Sequence, residues 1–227
     1  MYQMKKAIYW AVLFMITAQP LMAIEEPEYK VIEKIGDIEI RQYTGYIVAE
    51  TIVSSEFEEA GNDAFSRLFG YIDGENIRQQ SIEMTAPVIQ DTSQSGNEQS
   101  IMNGPVSQEE IDSDGQEIAM TVPVSQEPMD STKYRVAFVM PKQFTLATLP
   151  KPKDERVQIR EVPGKKVAVI RYSGTWSEEN YKEHELLLYQ FLQEKEYEII
   201  GEPMWARYDP PFMPWLFRRN EIMIEIK

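Results

Sequence analysis

Two blocks of the chain alternate apolar and polar residues, and each is followed by a stretch where apolar residues recur every three to four positions. In the first block, Ile38-Glu39-Ile40-Arg41-Gln42-Tyr43 leads through Thr44-Gly45 into Tyr46-Ile47-Val48-Ala49. In the second, Val157-Gln158-Ile159-Arg160-Glu161-Val162 leads through Pro163-Gly164 into Lys165-Lys166-Val167-Ala168. Each pattern predicts two strands around a glycine turn, a hairpin signal. The blocks superpose without a gap at an offset of 119, which pairs Ile40 with Ile159, Arg41 with Arg160, Gly45 with Gly164, Val48 with Val167 and Ala49 with Ala168. The chain therefore carries an internal duplication.

Both continuations read as helices. Phe57, Ala60, Ala64, Phe65, Leu68 and Ile72 form an apolar stripe from about Glu56 to Tyr71, closed by Asp73-Gly74. In the second half Ser177 is an N-cap candidate ahead of Glu178-Glu179, and Tyr181, His184, Leu187, Leu188 and Phe191 make the stripe. At the same offset Phe57 meets Trp176, Phe65 meets His184, Leu68 meets Leu187 and Phe69 meets Leu188. The expectation is α+β: two strand–strand–helix–strand units forming a twisted, barrel-like antiparallel sheet with two helices packed on it.

A shorter echo lies between the units. Ile82-Glu83-Met84-Thr85-Ala86-Pro87-Val88 returns as Ile118-Ala119-Met120-Thr121-Val122-Pro123-Val124, each read as an alternating strand closed by proline. Residues 91–114 are rich in Ser, Asn, Gly and acid and are expected to be a mobile surface loop. Lys133 to Met140 reads as a strand and Pro141 to Asp154 as a surface linker. The tail Trp205-Ala206-Arg207-Tyr208-Asp209-Pro210-Pro211-Phe212-Met213-Pro214-Trp215 precedes a last strand from Glu221 to Ile226. Trp205, Tyr208, Phe212 and Trp215 among prolines suggest a rigid aromatic lid over a groove, or a plug at the end of the sheet.

The first 23 residues have the order of a secretory signal: Lys5-Lys6, the apolar run Ala7 to Ile16, the breaker Gln19-Pro20 and the small Ala23. The run falls short of the roughly 20 residues that span a bilayer. The reading is a signal peptide at 1–23, with an uncleaved anchor as its alternative, and one domain at 24–227 built of pseudo-repeats at about 29–90 and 157–227. Export is expected, and a periplasm fits. The chain has 227 residues and a formal net charge of −14. That acidity disfavours nucleic acid, which needs a basic face to displace counterions. With no cysteine the chain has no disulfide, thiolate metal site or thioether-linked haem. A search for catalytic motifs finds no nucleophile elbow, zinc-protease helix or phosphate loop. Catalysis is not expected, although Glu221 is the carboxylate to test for a raised pKa.

The paired I-x-M-T-x-P-V segments, the duplicated strand–helix units and the closing Y-x-P-P…P-W…R-R-N-E tail together resemble the SOUL family of haem-binding proteins. The resemblance runs from about Tyr29 to Lys227, apart from 91–114. It implies the duplicated two-helix, twisted-sheet fold shared with gyrase-inhibitor-like effector-binding domains. It also implies non-covalent binding of haem or a related tetrapyrrole in an apolar groove beside the first helix. Such a site needs a flat apolar slot, cations for two propionates and optionally an axial ligand. Phe65, Leu68, Phe69 and Ile72 with Met84 and Met120 would line the slot, or are simply helix–sheet core. Arg218 and Arg219 would hold the propionates, or pair with surface acids. His184 is the only histidine. It is read as a core or groove-rim residue rather than an axial ligand, with Tyr43, Tyr46 and the methionines as other candidates. The alternatives are a general binder of hydrophobic small molecules and a hydrolase or porphyrin-modifying enzyme.

Overall fold

The computed structural model describes residues 24–79, 115–130 and 132–227. The segment 1–23, the first I-x-M-T copy with Met84, and the stretch 91–114 lie outside the described residues. The first half comprises β1 (Tyr29–Ile35), β2 (Ile38–Tyr43), β3 (Tyr46–Ser54), α1 (Phe57–Ile72), β4 (Asn76–Ile77), β5 (Val124–Pro128) and β6 (Lys133–Val139). The second comprises β7 (Lys151–Pro152), β8 (Gln158–Val162), β9 (Lys166–Tyr172), α2 (Glu178–Glu194), β10 (Met204–Arg207) and β11 (Asn220–Glu225). Nine of these strands form one strongly curled antiparallel sheet in the order β1-β2-β9-β11-β10-β5-β6-β3-β8. The short β4 pairs with β7 separately.

The two halves do not form hairpins at their glycine turns. β2 pairs with β9, with Ile40 opposite Ala168, while β3 pairs with β8, with Val48 opposite Arg160. Each half thus lends its first strand to the other, and the two connections cross. At the crossing the backbones touch: a Cβ on Gly164 would lie 3.0 Å from the Tyr43 carbonyl oxygen, and one on Gly45 would lie 3.3 Å from that of Val162. Close backbone approach is one of the uses of glycine, and it explains why this pair matches in the repeat. Outward from the β10–β5 seam, β11, β9 and β2 on one side correspond to β6, β3 and β8 on the other, a pseudo-twofold arrangement.

α1 packs on β3 and β6, and α2 on β9 and β11. Ala60, Ala64, Leu68 and Ile72 of α1 are buried against the sheet, as are Tyr181, Leu188 and Leu192 of α2. Leu68 therefore corresponds to Leu188 and Ile72 to Leu192, an offset of 120. Leu187, the expected match of Leu68, is 46% exposed. The helices slip by one residue relative to the strands because the segments joining β3 to α1 and β9 to α2 differ in length. Ser177 caps α2 by accepting a bond from the Asn180 amide, whereas α1 starts at Glu56 with no side-chain cap. Asp73 and Gly74, the latter at φ +108°, end α1 as the sequence indicates. The second I-x-M-T copy is not a strand: Ile118 bonds the Ile72 carbonyl, and β5 begins only at Val124. Among the described residues no helix is long and apolar enough to cross a membrane.

Candidate functional site

The residues proposed from sequence separate into three groups. Leu68 and Ile72 are core, sealed between α1 and the sheet, so they present nothing to a ligand. Phe65 and Phe69 lie on the outer side of α1, 37% and 40% exposed, with rings stacked at 5.7 Å. Phe65 also meets Phe138 edge-on at 5.5 Å. Met120 is 43% exposed. The slot expected beside α1 therefore has a stacked aromatic pair but not its two aliphatic walls.

Arg218, Arg219 and His184 already have partners within the chain. Arg218 donates to the carbonyls of Met213 and Pro211 and lies 4.2 Å over the Trp176 ring. Arg219 pairs with Glu221 at 3.0 Å and Glu26 at 2.8 Å, the acid-pairing alternative raised by the sequence. His184 is half-buried, stacked on Tyr172 at 4.1 Å, with Nδ1 2.8 Å from the Asn180 carbonyl. A carbonyl only accepts, so Nδ1 is the donor of this bond.

The sheet face opposite the helices is concave, and its two halves are finished differently. In one, Glu221 is fully buried and accepts two bonds from Arg41 at 2.8 and 3.1 Å, one from Tyr208 at 2.8 Å and one from Arg219 at 3.0 Å. Burial pushes the Glu221 carboxyl up, but the arginines and the tyrosine hydroxyl outweigh it, and its pKa is lowered. The carboxylate singled out for testing thus has a lowered pKa, not a raised one. Arg41 in turn lies 4.4 Å from the Tyr29 ring, which packs on Tyr43 at 4.9 Å. This half is filled.

In the other half Arg160, the repeat partner of Arg41, donates to Glu50 at 2.9 and 2.8 Å. Arg135 stands 3.5 Å from Glu50 and 3.3 Å from Glu127. Here nothing corresponds to Tyr29, Tyr208 or Arg219. Val162 replaces Tyr43 in the repeat, and the β5–β6 connection at 129–132 is too short to match the β10–β11 connection at 208–219. The result is a cleft of about 340 Å³ lined by the apolar Val48, Ala137, Met204 and Met223, by Arg135, Arg160 and Lys165, and by Glu127, Glu202 and Glu225. A second, more open cleft of about 550 Å³ lies at the strand ends, walled by Ile47, Val139, Met140, Phe144 and Leu146, with Lys142 at hand. Tyr46 lines both. Burial pushes its hydroxyl up to about 12. Both volumes fall in the roughly 300–1,000 Å³ range of small-molecule sites.

Sequence reasoning missed Glu50, Arg135, Lys165 and Met140 as members of a site. The repeated Arg41/Arg160 pair was the available signal, since arginines alternating with apolar residues on a sheet point to one face. This side offers an apolar floor, three cations each already held by a glutamate (Arg135 and Arg160 by Glu50, Lys165 by Glu225 at 3.4 Å), and Tyr46, Met204 and Met223 as groups able to ligate iron.

The sequence profile described as SOUL heme-binding protein matches residues 24–110 and 106–225, so each repeat is matched. A search of curated proteins returns no match. Among solved structures, the C-terminal domain of EcmrR superposes with a TM-score of 0.55 at 8% identity, over 88% of this chain and 98% of that one. A hydrolase from Listeria innocua gives 0.51 at 10% identity, over 86% and 94%. At these identities the likeness is one of fold.

Proposed function

Because the chain belongs to the SOUL heme-binding protein family, we propose that it binds haem or a related planar tetrapyrrole non-covalently on the concave face of its sheet. The observation that carries this reading is the pair of clefts either side of Tyr46, one with an apolar floor and walls of mixed charge, the other largely apolar. Lys165 and Arg160 would meet the propionates, and the macrocycle would cover Val48, Ala137 and Val162 or the adjoining Ile47, Val139 and Met140. Bound iron would supply redox and ligand-exchange chemistry. The chain's own residues orient the ring, shield it from water and neutralise its carboxylates. Carriage, buffering or sequestration is the role that suits such a site, in a compartment reached by export as residues 1–23 suggest.

The exposed Phe65–Phe69 pair on α1 favours a second reading, in which the ring lies flat on the helix face, as the family resemblance implies. Haemin titration followed by Soret absorbance separates the two. Saturable one-to-one binding, weakened about tenfold by Lys165→Ala together with Tyr46→Leu and unchanged by Phe69→Ala, is the expected result. Binding lost only in Phe69→Ala moves the site to α1. Equal affinity for several unrelated planar dyes makes the protein a general hydrophobic binder, and no saturation removes haem altogether.

A further inference from the structure

Arg207, on β10 under the two helices, is 7% exposed and has no carboxylate partner among the described residues. The other buried or half-buried arginines of the strands, Arg41, Arg135 and Arg160, each pair with a glutamate. The Arg207 Nη2 donates to the Gln126 side-chain oxygen at 3.0 Å, while its Nε–H has no acceptor. Its guanidinium lies 4.6 Å from the Trp205 ring and 5.3 Å from that of Trp176, and Gly61 of α1 leaves it room, since a Cβ there would fall on Nη2. Burial, opposed only by the neighbouring Tyr172, lowers the guanidinium's affinity for its proton, to a pKa of about 10.

Of the other buried side-chain groups left without a well-aligned partner among the described residues, on Ser55, Arg135, Trp205 and Tyr172, two join Arg207: the Trp205 Nε1–H, whose one acceptor within reach is the Tyr172 oxygen, and the Tyr172 hydroxyl itself. The strand register brings all three together. Tyr172, Asn220 and Arg207 stand side by side across β9, β11 and β10, and Trp205 is two residues along from Arg207 on the same face. The buried Asn220 is already used, accepting from the Trp176 indole at 2.9 Å. A buried cation beside two unsatisfied donors, with no anion, is an arrangement that folding alone disfavours.

We propose that Arg207, Trp205 and Tyr172 form a carboxylate-binding site between the helices, reached past Phe57, Trp176 and Arg218, which are half-buried around it. A carboxylate has acceptor sites for all three donors and cancels the charge, which a water molecule does not. The source is a free small carboxylate or the propionate of a larger ligand. The site uses residues on the opposite face from the clefts, so it stands or falls independently of them.

The test follows the Arg207 Nε–H and Trp205 Nε1–H resonances of the nitrogen-15-labelled protein during addition of sodium formate, with formamide as the neutral control. Saturable shifts of both resonances together, caused by formate and not by formamide, are expected. Shifts that are absent, or that rise linearly and equally with both compounds, overturn the proposal and leave the space to water. Once saturation is seen, haemin added to the formate-loaded protein identifies the source. Reversal of the formate shifts assigns the site to a propionate and moves the ring from the concave face to the helix side of the sheet, and persistence assigns it to a free carboxylate.

Discussion

Glu221 carries no exposed surface, yet it remains ionised because Arg41, Arg219 and Tyr208 between them donate four hydrogen bonds to it. Its pKa is lowered in the folded state. A lowered carboxyl contributes stability that is present above its unfolded value, about 4.3, and is lost as the pH falls through the folded value. Unfolding free energy should therefore fall on acidification below about pH 4.3. Glu221→Gln should lower stability at pH 7 by about 1.5–3 kcal/mol, since Arg41 and Arg219 lose charge-assisted bonds to Glu221 but keep Glu39 and Glu26. It should also flatten the acid limb, measured by urea denaturation across pH. An acid limb unchanged in the variant would show that Glu221 is not the group that titrates. The sequence marks Glu221 as a carboxylate after two arginines, but not the direction of its shift. Arg41 lies 180 residues away, and only the sheet brings it within 2.8 Å.

Gly61 and Gly70 both sit within α1, where glycine-to-alanine changes usually stabilise a helix by about 0.5–1 kcal/mol. At Gly70 the new methyl would meet only the end of the exposed Glu75 side chain, which can swing away, so Gly70→Ala should stabilise by about that amount. At Gly61 it would meet the buried Arg207 guanidinium, pinned between Trp205, Trp176 and Gln126, so the same change should destabilise. Thermal denaturation of the two variants side by side checks the opposite signs. Ser177→Ala should cost about 1 kcal/mol through loss of the α2 cap, with no counterpart at α1. Element types and most helix limits were legible from periodicity and caps. Strand partners were not: alternation marks a strand but is silent on which neighbour it takes. Glycine turns between alternating runs look the same whether the chain doubles back or crosses to the other half. The glycine match was the clue, because two turns that touch backbone to backbone must both lack side chains.

The duplicated molecule is symmetric in its sheet and asymmetric in its concave face. One half is closed by β1, Tyr43, Tyr208 and Arg219, and the other is left open where Val162 stands for Tyr43 and the β5–β6 connection is short. The repeat in the sequence showed the symmetry, but the open cleft arises from what one copy lacks, and sequence comparison of the copies did not show which face those residues share. The family resemblance implied a haem slot beside α1, where half of the helix candidates are core. The most direct test of the concave site is paramagnetic broadening of backbone amide resonances by iron(III) haemin, with zinc protoporphyrin as the diamagnetic control. The account predicts broadening centred on Tyr46, Val48, Ala137 and Val162, with Phe65 and Phe69 retaining their intensity. Broadening centred on Phe65 and Phe69, or spread evenly over the surface, would contradict it.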